Sequence, residues 1–350
     1  MKTQIAVLLA GTLAVWVWNH PWQVRLKTLV PAAWFGLGAF VLAQAILSGL
    51  MHAGAMERFT DFGQVRAHVL RHLDARPLLL FVGSSYTARN LDGAVVEATL
   101  RTQGVAMNVQ QLSMPGRFAF HQDYELERFL DQTPEKPFIV VMELGTEFSP
   151  SPRPEDRFRN EAFTHHDLRR AREILAMQSA SPDTSWEDLS VTIRQTLGHH
   201  AHVGIAHAAR PERQFPPKPG YQPEHWSGFD PEHPPAAGPA GRSATAVPAF
   251  SPAQLAQSTA FREQQAARLA MRGIPRVVFL APVTLDRKRR DAYQILCSRL
   301  AECLLPPSEP DPASLTWNDL SHLSDAGARE YSRGVGNLLA TQLGTAHVLR

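Results

Sequence analysis

The chain has 350 residues, 44% hydrophobic and 19% charged, enough for one sizeable core and extra segments, which excludes an extended or disordered chain. Its net charge of +2 gives no field suited to nucleic acid, and no basic run interleaved with aromatics occurs, so no nucleic-acid partner is expected. The two cysteines, Cys297 and Cys303, fit no metal-ligand spacing.

Two apolar runs come first. Residues 5–18 are apolar without a break, and residues 29–51 carry only Gln44 as a strongly polar side chain. At 1.5 Å per residue the second run is long enough for a hydrocarbon layer of ~30 Å, whereas the first reaches about 20 Å unless residues 1–4 extend it. Trp16, Trp18 and Trp22 gather where the first run ends, as in an interfacial aromatic belt. A signal peptide with Lys2 as its basic region competes for the first run, but no small-x-small cleavage site follows it. A transmembrane hairpin would put Arg25 and Lys27 in a cytoplasmic loop and both flanks outside, while Lys2, Arg58 and Arg66 pull the other way. A buried core helix is the alternative for 29–51. The expected organisation is a membrane anchor over 1–55 and an α/β domain over 56–350.

Residues 52–75 read as a connector and a helix, with Phe59, Phe62, Val65, Val69 and Leu70 near helical spacing. Leu78-Leu79-Leu80-Phe81-Val82 then forms an apolar run that stops at Gly83-Ser84-Ser85-Tyr86. A run of strand length bounded by turn residues predicts a strand buried on both faces of a parallel sheet. Ser84 and Ser85 would lie at its carboxyl end, where open α/β sheets hold their functional crevice. Small residues that merely close a turn are the plainer account of Gly-Ser-Ser. Helical sequence over 91–102 follows, then a strand over 105–112 ending in Ser113-Met114-Pro115-Gly116, a helix over 118–130 and an apolar strand over 138–144. Strands and helices alternating at this spacing argue for parallel βαβ units.

The pattern breaks at a proline-rich loop over 149–154. Helices are expected over 166–177 and 186–197, and a proline- and glycine-dense insertion over 210–252 cannot hold long regular elements. A helix over 252–272 has Ser251 as N-cap and Gly273 as its stop; a strand over 276–281, a long helix over 286–304 and a closing helix over 324–343 capped by Ser324 complete the chain. Six residues apart in one helix, Cys297 and Cys303 cannot bridge. A disulfide requires the helix to end between them; two ordinary buried thiols are the alternative. Arg287, Lys288, Arg289 and Arg290 place cations at a helix start, where the dipole disfavours them. A solvated face and a contact for anionic headgroups or an acidic polysaccharide both fit. His165, His166, His199, His200, His202 and His207 have no convergent acids at ligand spacing, so no metal is expected. A glycine-rich phosphate loop is absent too, and no cofactor is implied.

Trp317-Asn318-Asp319-Leu320-Ser321-His322 sets an Asp and a His three residues apart, just ahead of the closing helix. Such a pair can supply a base and its orienting carboxylate, or be an ordinary polar loop. A serine after the first strand together with Asp-x-x-His before the last helix resembles the SGNH (GDSL-like) hydrolase superfamily. The similarity is to its membrane-anchored O-acyltransferase type, which includes alginate O-acetyltransferase-like proteins and the protein that helps transfer D-alanine to teichoic acids. It spans about 78–343, with 149–251 outside its recognisable blocks. The resemblance implies a flavodoxin-like three-layer parallel α/β fold, with Ser85 as nucleophile, His322 as general base and Asp319 as the carboxylate that holds it. Ser84 stands where many relatives carry Asp. Gly116 matches the family's second block and would offer an oxyanion N–H beside that of Ser85, although a turn glycine also accounts for it. The third block, Gly-x-Asn, is met here by Gly145-Thr146-Glu147. An ionised Glu147 cannot donate to an oxyanion, so it is protonated, or binds substrate, or the alignment slips. Asp325 fits a first-turn acid better than a triad member.

The activity so implied is acyl transfer through an acyl-Ser85 ester, as O-acylation (O-acetylation) of a cell-envelope or secreted polysaccharide. The resemblance also implies a cytoplasmic-membrane anchor, a periplasmic or otherwise extracytoplasmic catalytic domain, a glycan acceptor and a multi-pass membrane acyltransferase as the partner that delivers the acyl group. A membrane-tethered esterase of acylated glycans or lipids would use the same residues. A non-catalytic scaffold of an envelope assembly complex is the third possibility, with Glu147 as its argument.

Overall fold

The computed structural model describes residues 22–52, 61–113, 119–133, 136–145, 251–308 and 311–344, together with Trp186, Ser190 and Ile193. The chain divides into two units, Met1–Met56 and Glu57–Arg350. In the first, α1 (Trp22–His52) is continuous through Pro31. Arg25 and Lys27, expected in a connecting loop, fall inside this helix. The side chains described along α1, over 30–43, 45 and 46, are all exposed, Trp34 at 67% and Phe35 at 80% among them. That stretch is shorter than a bilayer span, and among the described residues no helix is long and apolar enough to cross a membrane. The run over 5–18 lies outside the described residues.

The second unit is an α/β domain. In chain order it runs α2 (Asp61–Arg71), β1 (Leu78–Gly83), α3 (Ser85–Asn90), α4 (Gly93–Thr102), β2 (Asn108–Ser113), α5 (Ala119–Gln132) and β3 (Ile139–Glu143). After the insertion come α6 (Pro252–Met271), β4 (Arg276–Leu280), α7 (Arg287–Cys297), β5 (Cys303–Leu304) and α8 (Asp325–Gly344). All strand pairings are parallel, in the order β2-β1-β3-β4-β5. The chain winds from β1 outward to β2, then returns to build the other half from β3. The carboxyl ends of β1 and β3 therefore flank the point where the winding reverses, the usual crevice of such sheets.

The apolar run of β1 is buried on both faces, as its sequence requires. Leu78, Leu80 and Val82 pack into one core with Phe129, Val140, Met142 and Leu269, whereas Leu79 and Phe81 pack into the other with Leu100, Val141, Trp317 and Val335. The alternation follows from the two-residue period of a strand. Helix ends are set locally. Asp92 accepts from the N–H groups of Ala94 and Val95, and Ser251 closes a capping box with Gln254. Gly273 stops α6 at φ 81°. The Asp286 carboxylate caps α7 through the N–H groups of Lys288 and Arg289, which offsets the cations at that helix start.

Two expectations need correction. The helix expected over 286–304 ends at Cys297, and the chain returns to the sheet as β5. With the helix stopped there, Cys297 and Cys303 form a disulfide at a Cα–Cα distance of 5.1 Å. The second strand begins at Asn108 and not at residue 105, because after Gly104, at φ 79°, the Val105 N–H is spent on the Leu100 carbonyl that closes α4. The loop over 149–154, the helix over 166–177, the insertion over 210–252, and the six histidines between 165 and 207 lie outside the described residues, as does most of the helix expected over 186–197.

Candidate active site

Strand β1 delivers the chain to the crevice at Gly83. A Cβ added there would lie 1.9 Å from Thr87 Oγ1 and 2.6 Å from Glu143 Oε2, so the turn closes only around a glycine. Ser84 is the N-cap of α3, its Oγ accepting from the Tyr86 N–H at 3.3 Å. Ser85 is the first helical residue. The Glu143 carboxylate, at the end of β3, reaches across to the same turn. It accepts from the Ser84 N–H at 2.8 Å, the Thr87 N–H at 3.1 Å, the Thr87 hydroxyl at 2.8 Å and the Ser84 hydroxyl.

A helix start leaves its first N–H groups without intrahelical acceptors. In α3 the ladder begins with Ala88 N–H to Ser84 C=O at 3.0 Å. Of the N–H groups before it, those of Ser84 and Thr87 go to Glu143 and that of Tyr86 goes to Ser84. The Ser85 N–H is left without a partner among the described residues, beside its own hydroxyl. A free backbone donor at a nucleophile is what a developing oxyanion needs.

The loop before α8 brings the other two residues. Asp319 Oδ1 accepts from the N–H groups of Ser321 and His322, at 2.6 and 2.9 Å, which folds the Asp-x-x-His segment back on itself. Asp319 Oδ2 is 2.7 Å from His322 Nδ1, and His322 Nε2 is 3.0 Å from Ser85 Oγ. With the Nδ1 proton on the carboxylate side, Nε2 presents a lone pair to the serine hydroxyl. The loop is pinned from three directions. Asn90 donates to the Ser321 carbonyl and accepts from the Leu323 N–H, both at 2.9 Å. Thr284 and Leu285 hold the Leu320 carbonyl at 3.0 and 2.9 Å. The Tyr86 ring stacks on His322 with centroids 5.6 Å apart, while its hydroxyl donates to Ser321 Oγ at 3.2 Å and accepts from Arg289.

The imidazole is 17% exposed and the Asp319 carboxylate 52% exposed. Partial burial raises the Asp319 pKa, but hydrogen bonds from the His322 ring and from two backbone N–H groups outweigh it and hold the carboxyl below the usual range. Burial pushes the Tyr86 phenol up, against the pull of Arg289.

Ser85, His322 and Asp319 are thus brought together, and Ser84 supports the turn as its cap. Gly116 and Glu147 lie outside the described residues. Sequence reasoning passed over Glu143, Asn90 and Tyr86. A carboxylate closing the buried run Ile139-Val140-Val141-Met142 was the available signal for Glu143; nothing marked Asn90. Among the described residues no group of three or more His, Cys, Asp or Glu side chains is placed to hold a metal ion. Neither the protein-family models nor the curated proteins contain a match to this chain.

Proposed function

We propose that the chain is a membrane-anchored serine acyltransferase of SGNH type that O-acylates a cell-envelope or secreted glycan. The observation that carries this is the continuous line Asp319–His322–Ser85, at 2.7 and 3.0 Å, beside an unclaimed Ser85 N–H. His322 Nε2 takes the Ser85 proton as Oγ attacks the acyl carbonyl, the Ser85 N–H faces the oxyanion, and the imidazolium, stabilised by Asp319, returns the proton to the leaving group. The acyl-Ser85 ester is then attacked by a second hydroxyl whose proton passes to His322; the bond from the acyl carbon to Ser85 Oγ breaks, and Oγ takes that proton back, so that a sugar hydroxyl gives transfer and water gives esterase activity. The chain order of the three residues and the strand order β2-β1-β3-β4-β5 agree with the SGNH resemblance.

The anchor is supported by the sequence of residues 29–51, an uncharged run that at 1.5 Å per residue would extend about 35 Å as a helix. Exposed Trp34 and Phe35 suit lipid better than water. The Cys297–Cys303 disulfide suits an oxidising, extracytoplasmic compartment. A multi-pass membrane acyltransferase as acyl donor follows from the resemblance.

The test incubates the full chain in detergent micelles with an activated acetyl ester and maps the adduct by mass spectrometry, alongside Ser85→Ala and His322→Ala. A transient acetyl on Ser85, absent from both variants and discharged faster by an added glycan, is expected. Discharge indifferent to glycans would make it an esterase. A folded wild type with no adduct would rule out the serine mechanism.

A further inference from the structure

We propose that Glu143 is the positioning residue of this site: its carboxylate locks the turn from Ser84 to Thr87, so that Ser85 aims its hydroxyl at His322 and keeps the one free N–H of the turn. The role rests on the acyl-transfer reading, but the geometry has its own logic. Glu143 is 7% exposed, and the four donors it accepts come from Ser84 and Thr87, the residues on either side of the Ser85-Tyr86 pair. Three of the four donors converge on Oε2 and the Ser84 hydroxyl takes Oε1, so both oxygens of the carboxylate face the turn. Its strand fixes it from the other side, since Met142 pairs with Val82 of β1 and Glu143 itself with Leu280 of β4. Gly83 makes the room, because any side chain there would occupy the space of the Oε2 atom and of Thr87. The result is selective. Three N–H groups of the turn are consumed and the fourth, on the nucleophile, is left for the reaction.

Reach, and not charge, is what such a role needs, and two substitutions separate them. In Glu143→Gln the amide oxygen can keep the three bonds made by Oε2, and its NH2 can donate to the Ser84 hydroxyl. In Glu143→Asp the charge stays but the side chain is one methylene short, and the N–H groups of Ser84 and Thr87 lose their acceptor. With the full chain in micelles and an activated acetyl ester, the limiting acylation rate and the half-saturating ester concentration are measured separately, and hydrogen exchange is followed in the peptide over 83–88. Glu143→Gln is expected within about 10-fold of wild type, and Glu143→Asp about 100-fold slower in limiting rate at an unchanged half-saturating concentration, as orphaning buried donors implies. Exchange over 83–88 should quicken about 10-fold or more in Glu143→Asp and stay near wild type in Glu143→Gln. Glu143→Asp as fast as Glu143→Gln, or a loss confined to half-saturation, would overturn the proposal. A wild type that forms no acyl-Ser85 would refute acyl transfer itself. Exchange would then decide the lock alone: faster only in Glu143→Asp upholds it, and no difference overturns it.

Discussion

Asp319 uses its two oxygens for two tasks. Oδ1 folds the loop through backbone N–H groups, and Oδ2 fixes the imidazole so that Nε2 faces the Ser85 hydroxyl. An amide in its place would keep the first task and spoil the second, because its NH2 favours the tautomer with the proton on Nε2. Asp319→Asn is therefore expected to slow acylation of Ser85 by on the order of 10³–10⁴-fold while the domain stays folded. The same carboxyl gives a pH signature. Its folded pKa is below its unfolded value near 3.9, so the stabilisation is complete above about pH 5 and is lost as pH falls through the folded value. Melting curves should show wild type above Asp319→Asn at neutral pH and the two converging in acid; a gap that widens in acid would contradict the assignment. Ser85, Asp319 and His322 could be named from the sequence because a serine at the end of an apolar run and an Asp-x-x-His spacing occur together in the order of the SGNH resemblance; either motif alone reads as an ordinary turn or loop. Glu143 gave a single signal, a carboxylate closing a buried run, and no motif joined it to its partners 56 and 59 residues away. Glu147, the acid where the SGNH resemblance expects Asn, lies outside the described residues.

At the scale of elements, the strands with long apolar runs were readable, and the one that was missed is short. Beyond Cys297 the sequence continues with Leu300 at helical spacing and no glycine or proline, so nothing local stops the helix. What stops it is the sheet: β5 has only two residues, Cys303 and Leu304, paired with Phe279 and Leu280, and burial at that edge outweighs helical propensity. The disulfide then ties the end of α7 to β5. Closing so short a loop is worth about 2 kcal/mol through the unfolded chain. Replacing both cysteines with serine should lower unfolding free energy by about that amount in denaturant titrations. Acylation of Ser85 should change little in the folded variant, because α7 meets the site at its other end, through Arg289 and Tyr86. A lost site with unchanged stability would show that the disulfide shapes the crevice instead.

For the whole molecule, the alternation of strands and helices foretold a parallel α/β sheet, but the strand order did not follow from it, because placing β1 between β2 and β3 depends on contacts between distant segments. The consequence is spatial: the reversal beside β1 gathers a turn near residue 85 and a loop near residue 320 into one crevice. The N-terminal unit obeys a different constraint. Leu42 is 63% exposed on α1, with Phe40, Val41 and Ile46 exposed near it, and so apolar a surface must be covered by something as apolar as itself. Lipid fits the uncharged length of 29–51, and a charge at its middle should then be costly, about 2.5–3.5 kcal/mol for an arginine. The full chain should remain in the membrane pellet after an alkaline wash, and the chain lacking residues 1–56 should not. Leu42→Arg should shift a measurable part of the protein out of the pellet, whereas an arginine at residue 52, next to the uncharged stretch, should not, since a long side chain there can reach the interface. Wild type recovered in the soluble fraction would remove the anchor and turn the exposed face of α1 into a contact for protein.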